Sequence, residues 1–538
     1  MSEHLTTTSP RSTAEWASPF RHRAFTVIWI ATVVSNIGTW MYNVASGWLM
    51  TSLDPNAFIV SMVQVANSLP MFLFAIPAGA LADIVNQRRF LIVGESTIAV
   101  VTAAFAALVW FHLITPARLL LFSFAVSVAS AMTAPAWQSV VAKLVPKPDL
   151  PSAVAANSVG INISRAIGPA LGGAIVGAVS IAAPFWLDAF SNIGVIAALI
   201  WWRAPVRSAT ALPPEPFGSA IRTGLRYARY NPYLRTTLVR TVAFFLFGSA
   251  YWALLPVVAR SQIVTGPALY GVLLGTIGAS AVGGAFLLHR LKEKLGADSL
   301  VAAASLGTAL ATALFALAHH PATAITASAI AGVSWIAAVS SLNVSAQVAL
   351  PEWVRGRGLA VYVTVMFGAL TIGSAIWGQL AALAGLPAAL LMAAMGAAIV
   401  IPLTWRWKLQ TGENVDFSPS MQWPDPVTTY SIEEDRGPVL VTVEYRIDPK
   451  DRKAFLAAIG QNSSQRRRDG AYDWGIFEDP ADEGFFVETS LTDSWLEHLR
   501  QHQRVTNSDR ISEQAVRRFH IGDAPKITHL ISALRDRS

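Results

Sequence analysis

Twelve long apolar runs occupy the first 405 of the 538 residues. Each run is 19 to 29 residues long and nearly uncharged, so that as a helix it can cross roughly 30 Å of hydrocarbon. Inside a bilayer only helices and closed barrels satisfy every backbone hydrogen bond, and these runs lack the alternation of barrel strands. The sequence therefore predicts an integral membrane protein built from α-helices.

We expect the spans near residues 24–50, 58–82, 90–112, 117–142, 153–179, 184–202, 237–259, 267–289, 299–318, 321–349, 358–383 and 385–405. The first span is too long for the apolar region of a cleavable signal peptide. With the amino terminus in the cytoplasm, 20 of the 24 Lys and Arg residues in 1–430 lie in cytoplasmic segments. An even number of spans then places the carboxyl terminus there too, which predicts a multi-pass membrane protein with both termini in the cytoplasm.

The two halves of this membrane body are related by an offset of 205 residues. The offset superposes Gly79 on Gly284, Pro146 on Pro351, Gly168 on Gly373 and Gly173 on Gly378. Two parallel six-helix repeats are typical of transporters with a binding site near the midplane. The expected domains are a cytoplasmic segment 1–23, a bundle 24–202, a cytoplasmic linker 203–236, a second bundle 237–408, a linker 409–436 and a soluble domain 437–538.

The linker between the halves is open to two interpretations. Phe217, Ile221, Leu225 and Ala228 follow helical spacing beside several arginines, which suits a short helix lying on the inner leaflet. A solvated linker that carries positive-inside charges explains the same residues equally well.

The stretch GALADIVNQRRF, residues 79–90, joins spans two and three. It resembles the loop 2–3 motif of the major facilitator superfamily, departing from it at Ile84 and Asn86. The residues that carry the resemblance are Gly79, Leu81, Asp83, Arg88 and Arg89. A glycine permits close helix approach, and a carboxylate can accept hydrogen bonds at a helix amino terminus, where the macrodipole favours an anion.

The resemblance places the partner of Asp83 at the start of span eleven, at Gly356, Arg357 and Gly358. Asp83 would then hold the cytoplasmic side closed in one state and release it in the other. The alternative is an ordinary loop carboxylate.

Span five contains GINISRAIGPALGG, residues 160–173. This stretch resembles the span-five motif of the antiporter branch of the superfamily, through Gly160, Gly168, Pro169, Gly172 and Gly173. Proline removes an amide donor and kinks a helix, and glycines permit tight packing. A generic packing face is the alternative; the specific interpretation favours export over uptake.

Three charges lie within spans. Arg165 is close to the middle of span five, and Glu95 and Asp188 are the carboxylates available to it. A charge in the membrane is expensive and is expected to face a cavity or a partner. These groups could couple transport to protons or bind an anionic substrate, or they could form a fixed ion pair between helices. Candidates for lining the cavity, which could instead bridge helices, are Asn36, Gln64, Gln138, Asn162 and Asn343.

Residues 134–173 narrow the resemblance to bacterial exporters grouped with the enterobactin exporter, also called transmembrane secretion effectors. That family implies export of siderophores, drugs and other small amphipathic molecules, usually by proton antiport. Nucleic acid is not an expected partner, because the basic residues of the membrane body lie in short loops between helices. Import remains an alternative, because alternating access can run in either direction.

The tail reads as strand, helix, two strands and helix, which predicts a ferredoxin-like α+β module. Residues from RRRDGAYDWGIFED onward resemble the dimeric α/β-barrel appendage of some members of this exporter family, which is akin to antibiotic-biosynthesis monooxygenases. We therefore expect the tail to regulate the transporter or to self-associate at the cytoplasmic face. A membrane-tethered oxidoreductase or a sensor acting through the tail are rival functions.

Several chemistries lack support in the sequence. The chain has no cysteine, which excludes disulfides and thiolate metal sites, and it lacks a phosphate-binding glycine loop. His498 and His502 share a helix face, but no third metal ligand is evident. We expect no cofactor, no metal and no enzymatic activity.

Overall fold

The computed structural model describes residues 18–203, 217–412, 416–418, 420, 432–433 and 435–533. The side chains of Ala80, Asp83, Ile84, Phe217, Ser219, Ala220, His289 and Gln503 also lie outside the description, as does most of the predicted linker 409–436. The chain divides into two compact units. The first comprises Met1–Pro214, Val239–Leu342 and Val363–Trp407, and the second Glu215–Leu238, Asn343–Tyr362 and Lys408–Ser538.

Up to residue 404 the described chain is almost entirely helical. Its helices are α1 (Arg23–Leu53), α2 (Ala57–Ile84), α3 (Gln87–Trp110), α4 (Pro116–Leu144), α5 (Leu150–Ala178), α6 (Ala183–Trp201), α7 (Phe217–Tyr230), α8 (Pro232–Val257), α9 (Pro267–Ala316), α10 (Pro321–Val348), α11 (Arg355–Ala384) and α12 (Leu386–Thr404). Twelve segments of the described residues are long and apolar enough to cross a membrane. The predicted number of spans is therefore confirmed.

Helix α9 contains spans eight and nine, at Pro267–Leu288 and Arg290–Ala316. The break between them is at Gly296, whose φ of +72° is a backbone conformation that glycine adopts without strain. We expected a loop over 290–298; instead the chain stays helical on both sides of this glycine.

Short polar residues begin several spans. The side chains of Asn56, Asn86 and Thr115 accept hydrogen bonds from backbone amides in the first turns of α2, α3 and α4. These caps satisfy donors that have no partner within the helix. The departure from the loop 2–3 motif at Asn86 is thus explained, because the Asn86 side chain caps the amino terminus of α3.

The largest buried apolar cluster of the first unit lies at one end of the helices, around the loop between α1 and α2. It contains Trp48 and Leu49 from the first half and Tyr251, Leu254 and Tyr270 from the second. The two halves are therefore packed together at this end, which we call the closed end.

The second unit contains α7 and the tail. The tail has strands β1 (Val439–Arg446), β2 (Asp473–Glu478), β3 (Phe485–Thr492) and β4 (Lys526–Ile531), with helices α13 (Arg452–Asp469), α14 (Trp495–Arg504) and α15 (Asn507–Arg517). The sheet is antiparallel in the order β2-β3-β1-β4. This order agrees with the expected ferredoxin-like module.

Two details of the tail differ from expectation. The single helix expected at the end of the tail is two helices, because Thr506 and Asp509 form a capping box at the start of α15. A fourth strand, β4, pairs with β1 and completes the sheet. The linker between the halves contains a helix, α7, whose Tyr227 is buried; that this helix lies on the inner leaflet stays a prediction.

Candidate functional site

A cavity of about 330 Å³ lies within the first unit, lined from both halves. Its aromatic lining residues are Trp40, Phe245, Trp252, Tyr270, Trp335 and Phe367. Its polar side chains are Asn43, Gln64, Asn67, Ser68 and Arg165. Apolar walls with a few convergent polar groups are typical of sites for small organic molecules.

Arg165 is the one charged residue among the described residues that line this cavity. Its guanidinium carbon lies 5.7 Å from the ring centre of Trp40, and its buried Nε finds no hydrogen-bond partner in the described chain. No described carboxylate lies within 4.0 Å of the guanidinium. The fixed ion pair with Glu95 or Asp188 is therefore not formed in this structure.

The two candidate carboxylates are buried in the first half, away from the cavity lining. Glu95 is 6% exposed and accepts a hydrogen bond of 2.8 Å from Trp137 Nε1. Asp188 is 2% exposed and accepts one of 3.3 Å from Thr39 Oγ1. Thr39 is the neighbour of Trp40 in α1, so one helix contacts both Asp188 and Arg165.

Of the five amide side chains expected in the cavity, Gln64 lines it. The other four are absent from its lining: Asn36 and Asn162 are half-buried, and Gln138 and Asn343 are exposed. Asn162 Nδ2 donates instead to Ser158 O, one turn earlier in α5. That these four line a transport cavity therefore stays a prediction.

The span-five glycines face two different helices. A Cβ on Gly168 would lie 3.0 Å from Ile37 O, and one on Gly172 would lie 2.8 Å from Met41 Cα. Gly160 likewise packs against α1, where its Cβ would lie 2.7 Å from a Val33 methyl. These glycines therefore bring the backbone of α5 against α1.

Gly173 faces α9 in the second half. Its Cβ would lie 2.8 Å from Gly271 Cα, and a Cβ on Gly271 would lie 2.5 Å from Pro169 O. Gly275 and Gly278 of α9 continue this contact against Ala166 and Arg165. Sequence reasoning missed these α9 partners, although their spacing of three to four residues is a signal for helix contact.

In the loop 2–3 motif, Arg88 contacts the last turn of α6. Arg88 Nε donates to Leu199 O at 2.8 Å and Nη2 to Ile200 O at 2.6 Å, at the carboxyl end of α6. A cation is favourable there because of the helix dipole. Arg89 is exposed, Leu81 is half-buried, and a Cβ on Gly79 would meet no described atom within 4 Å.

The expected latch between Asp83 and span eleven stays a prediction, since the Asp83 side chain lies outside the described residues. At the start of α11, a Cβ on Gly358 would contact the Leu350 side chain. Gly356 has open space around it, and Arg357 packs against α7, with its Cβ 3.1 Å from one built on Gly224.

Arg260 holds the closed end together. Its Nη1 donates to Thr51 Oγ1 at 3.1 Å and to Ser52 Oγ at 2.6 Å, at the carboxyl end of α1. Its guanidinium carbon lies 5.6 Å from the ring centre of Trp48, which stacks on Tyr270. Arg260 lies in a π-helical turn, Val258–Gln262, a feature common at functional sites. Sequence reasoning missed this role.

In the second unit, ion pairs tie the tail to α7. Arg226 of α7 pairs with Glu497 of α14 at 3.1 Å, and Arg504 pairs with the same carboxylate at 2.6 Å. The Arg504 guanidinium also lies 4.5 Å from the ring centre of Trp353, just before α11. The tail therefore contacts the linker helix and the loop that precedes α11.

A second buried network lies beside it. Arg468 pairs with Asp469 at 2.8 Å and Asp509 at 2.7 Å, with Tyr227 of α7 under its guanidinium. Burial opposes the charge on Arg468, but the two carboxylates raise its pKa above the usual value. Burial raises the pKa of Tyr227. The ion pairs around Glu497 and those around Arg468 are therefore both largely shielded from water.

His498 and His502 have the third neighbour that sequence reasoning did not find. His529 of β4 brings a ring nitrogen close to theirs, and one ligand atom from each residue lies within 4.8 Å of the other two. Burial, and then the imidazoles of His502 and His529, lower the pKa of His498 to about 3; burial also lowers the pKa of His529. His498 is therefore a neutral imidazole near neutral pH.

Comparison with known proteins identifies the membrane body. A family model described as "Transmembrane secretion effector" matches residues 13–537. The chain is 23% identical over 264 residues to the staphyloferrin A transporter of Staphylococcus aureus, covering 48% of this chain and 65% of that protein. It is 25% identical over 380 residues to the multidrug efflux pump Tap of Mycolicibacterium fortuitum, covering 68% and 91%.

A solved structure shows the same fold. A bacterial homologue of the human lysosomal transporter Spinster, inward-facing and unoccupied, superposes with a TM-score of 0.53 at 15% identity, covering 74% of this chain and 98% of that one. The expected major facilitator fold of the membrane body is therefore confirmed.

Proposed function

We propose, on the premise that the chain belongs to the family of transmembrane secretion effectors, that it exports small amphipathic organic molecules across a bacterial inner membrane by proton antiport. The family and the relatives are transporters, which agrees with the expectation that the chain is not an enzyme. The observation that carries the proposal is a cavity shared by both halves, in which Arg165 lies among aromatic rings and its Nε has no hydrogen-bond partner among the described residues.

The cavity points to a substrate with an apolar body and an acidic group. A cation near mid-membrane costs about 2.5–3.5 kcal/mol on insertion scales, and Arg165 has no described carboxylate to offset that cost. An anionic substrate would supply the missing partner. Trp40, Trp252 and Trp335 would cover its apolar part.

The closed end supports a state that loads from the cytoplasm. The positive-inside expectation puts the loop between α1 and α2 on the outer side of the membrane. The contacts of Arg260 and Trp48 at that end then keep the outer gate shut. An exporter in this state would take its substrate from the cytoplasmic side.

Asp188 and Glu95 are the proposed proton sites. Both are buried, and each accepts a hydrogen bond from a neighbouring side chain. A substrate that binds Arg165 would displace Trp40, and Thr39 beside it would carry the movement to Asp188. The proposed coupling therefore runs through one helix, α1.

Gate opening requires helices to slide. Gly172 lies against the backbone of α1, and Gly173 lies against the backbone of α9, which suits sliding contacts. We retain the Asp83 latch, with Gly356, Arg357 and Gly358 as its partners, as part of the proposal. The tail contacts Trp353, and we propose that it regulates this gate.

The tail is also proposed to self-associate. The sheet face opposite the helices is apolar and uncovered in places: Phe477 is 62% exposed and Leu530 51% exposed. A second copy of this face would bury both side chains, as the resemblance to dimeric α/β barrels implies.

Everted membrane vesicles test the transport proposal. Export from the cytoplasm becomes uptake into such vesicles, and an inside-acid gradient should drive it. We expect gene-dependent uptake of the amphipathic anion 8-anilinonaphthalene-sulfonate, abolished by an uncoupler, and weaker uptake of the amphipathic cation rhodamine 6G. Equal uptake of the anion by vesicles with and without the protein would refute the proposal. Uptake that survives the uncoupler would refute proton coupling but not export.

A further inference from the structure

The histidine cluster of the tail is built from two elements. His498 and His502 are one turn apart in α14. His529 lies on β4, paired in register with Val441 of β1. The ring centroids of His498 and His529 are 4.9 Å apart, and those of His498 and His502 are 4.6 Å apart.

The spacing of the nitrogens matches a tetrahedral metal. Zn–N bonds of about 2.0–2.1 Å place neighbouring ligand nitrogens about 3.4 Å apart in a tetrahedron. His498 Nε2 and His502 Nε2 are 3.2 Å apart. All three ligand atoms lie within 4.8 Å of one another, so no pair has to close by more than about 1.4 Å to reach that spacing. His502 and His529 are half-buried, which leaves their rings room to rotate.

The donor set selects the class of metal. The cluster offers three imidazole nitrogens, which suit Zn²⁺ and other late first-row cations better than Mg²⁺ or Ca²⁺. Trp495 packs against His498, which is 1% exposed, so the floor of the site is dry. Three protein ligands leave a fourth position for water, as in open zinc sites.

We propose that His498, His502 and His529 bind one Zn²⁺ ion and so join α14 to the edge of the sheet. The same helix carries Glu497 and Arg504, which contact Arg226 and Trp353. The metal therefore stiffens the helix through which the tail holds α7 and the loop before α11. This site is independent of the proposed transport function.

Metal titration of the full-length protein tests the site. The protein is purified in detergent through a tag without histidines, stripped with a chelator, and titrated with Zn²⁺ and with Co²⁺ as a coloured substitute. We expect one Zn²⁺ per chain and the intense visible absorption of four-coordinate Co²⁺. His529→Gln and His502→Gln should each weaken Zn²⁺ binding by more than the roughly 10- to 100-fold that an outer-shell change costs.

The matched control is His319→Gln, because His319 is exposed and lies outside the cluster. It should bind Zn²⁺ as tightly as the wild type. Substoichiometric Zn²⁺ in the wild type, or undiminished binding by His529→Gln, would overturn the proposal. Circular dichroism of the metal-free variants checks folding. If His529→Gln is unfolded, Zn²⁺ binding by His502→Gln is the deciding measurement, because His502 is only half-buried.

Discussion

Replacing Gly271 by alanine tests the contact between the two halves at α5 and α9. The new Cβ would lie 2.5 Å from Pro169 O and 2.8 Å from Gly173 Cα, whereas ordinary contacts begin at 3.4 Å. Both neighbours are backbone atoms that cannot rotate away. The helices must therefore separate locally by about 0.6–0.9 Å.

Overpacking of this kind costs typically 1–3 kcal/mol. The equilibrium between folded and unfolded protein should then shift by about 5- to 150-fold, measured by reversible denaturation in mixed micelles. Transport of the anionic probe should fall with it, because the structure with a closed outer end requires this contact. Gly283→Ala is the matched control: it lies in the same helix, and its Cβ would meet no described atom within 4 Å. Equal stability of the two variants would refute the packing argument.

Three further substitutions address the charges. Arg165→Gln should abolish uptake of the anionic probe while Arg165→Lys retains part of it; unchanged uptake in the glutamine variant would remove Arg165 from the site. Asp188→Asn should lose uptake driven by the proton gradient but keep exchange of the probe at equal pH, and loss of exchange would contradict a pure coupling role. Glu497→Gln removes the carboxylate that pairs with the buried Arg504, at a cost of roughly 3–5 kcal/mol, measured as a lower thermal unfolding temperature of the tail. The exposed pair of Arg446 and Asp482 is the control, since Arg446→Gln should cost about 0–1 kcal/mol.

The membrane fold could be predicted because the bilayer sets the length of each span. An apolar run such as 386–404 leaves no alternative to a crossing helix in lipid. Which side of each helix faces the cavity could not be predicted, because most spans are apolar around their whole circumference. Gln64 and Asn36 therefore look alike in the sequence, although only Gln64 lines the cavity.

The contacts that we failed to predict from the sequence are mainly those between elements that are far apart in the sequence. Gly173 was singled out on a resemblance, but its partner Gly271 belongs to the other half, and only the packed structure pairs them. His529 is likewise 27 residues beyond His502 and on a strand that we did not expect. The break at Thr506 differs from these cases: threonine followed three residues later by Asp509 is a capping signal, and it was visible in the sequence.

Alternating access at the closed end is the claim on which the account most depends. The chain has no cysteine, so a double variant with Pro55→Cys and Ser261→Cys carries spin labels at these two positions alone. Pro55 lies in the loop before α2, and Ser261 lies in the π-helical turn. Pulsed electron–electron resonance in lipid then measures the distance between α1–α2 and α8. We predict a short distance for the state described here and a longer one whose share changes with pH and with the anionic probe. A single short distance under all conditions would contradict the account.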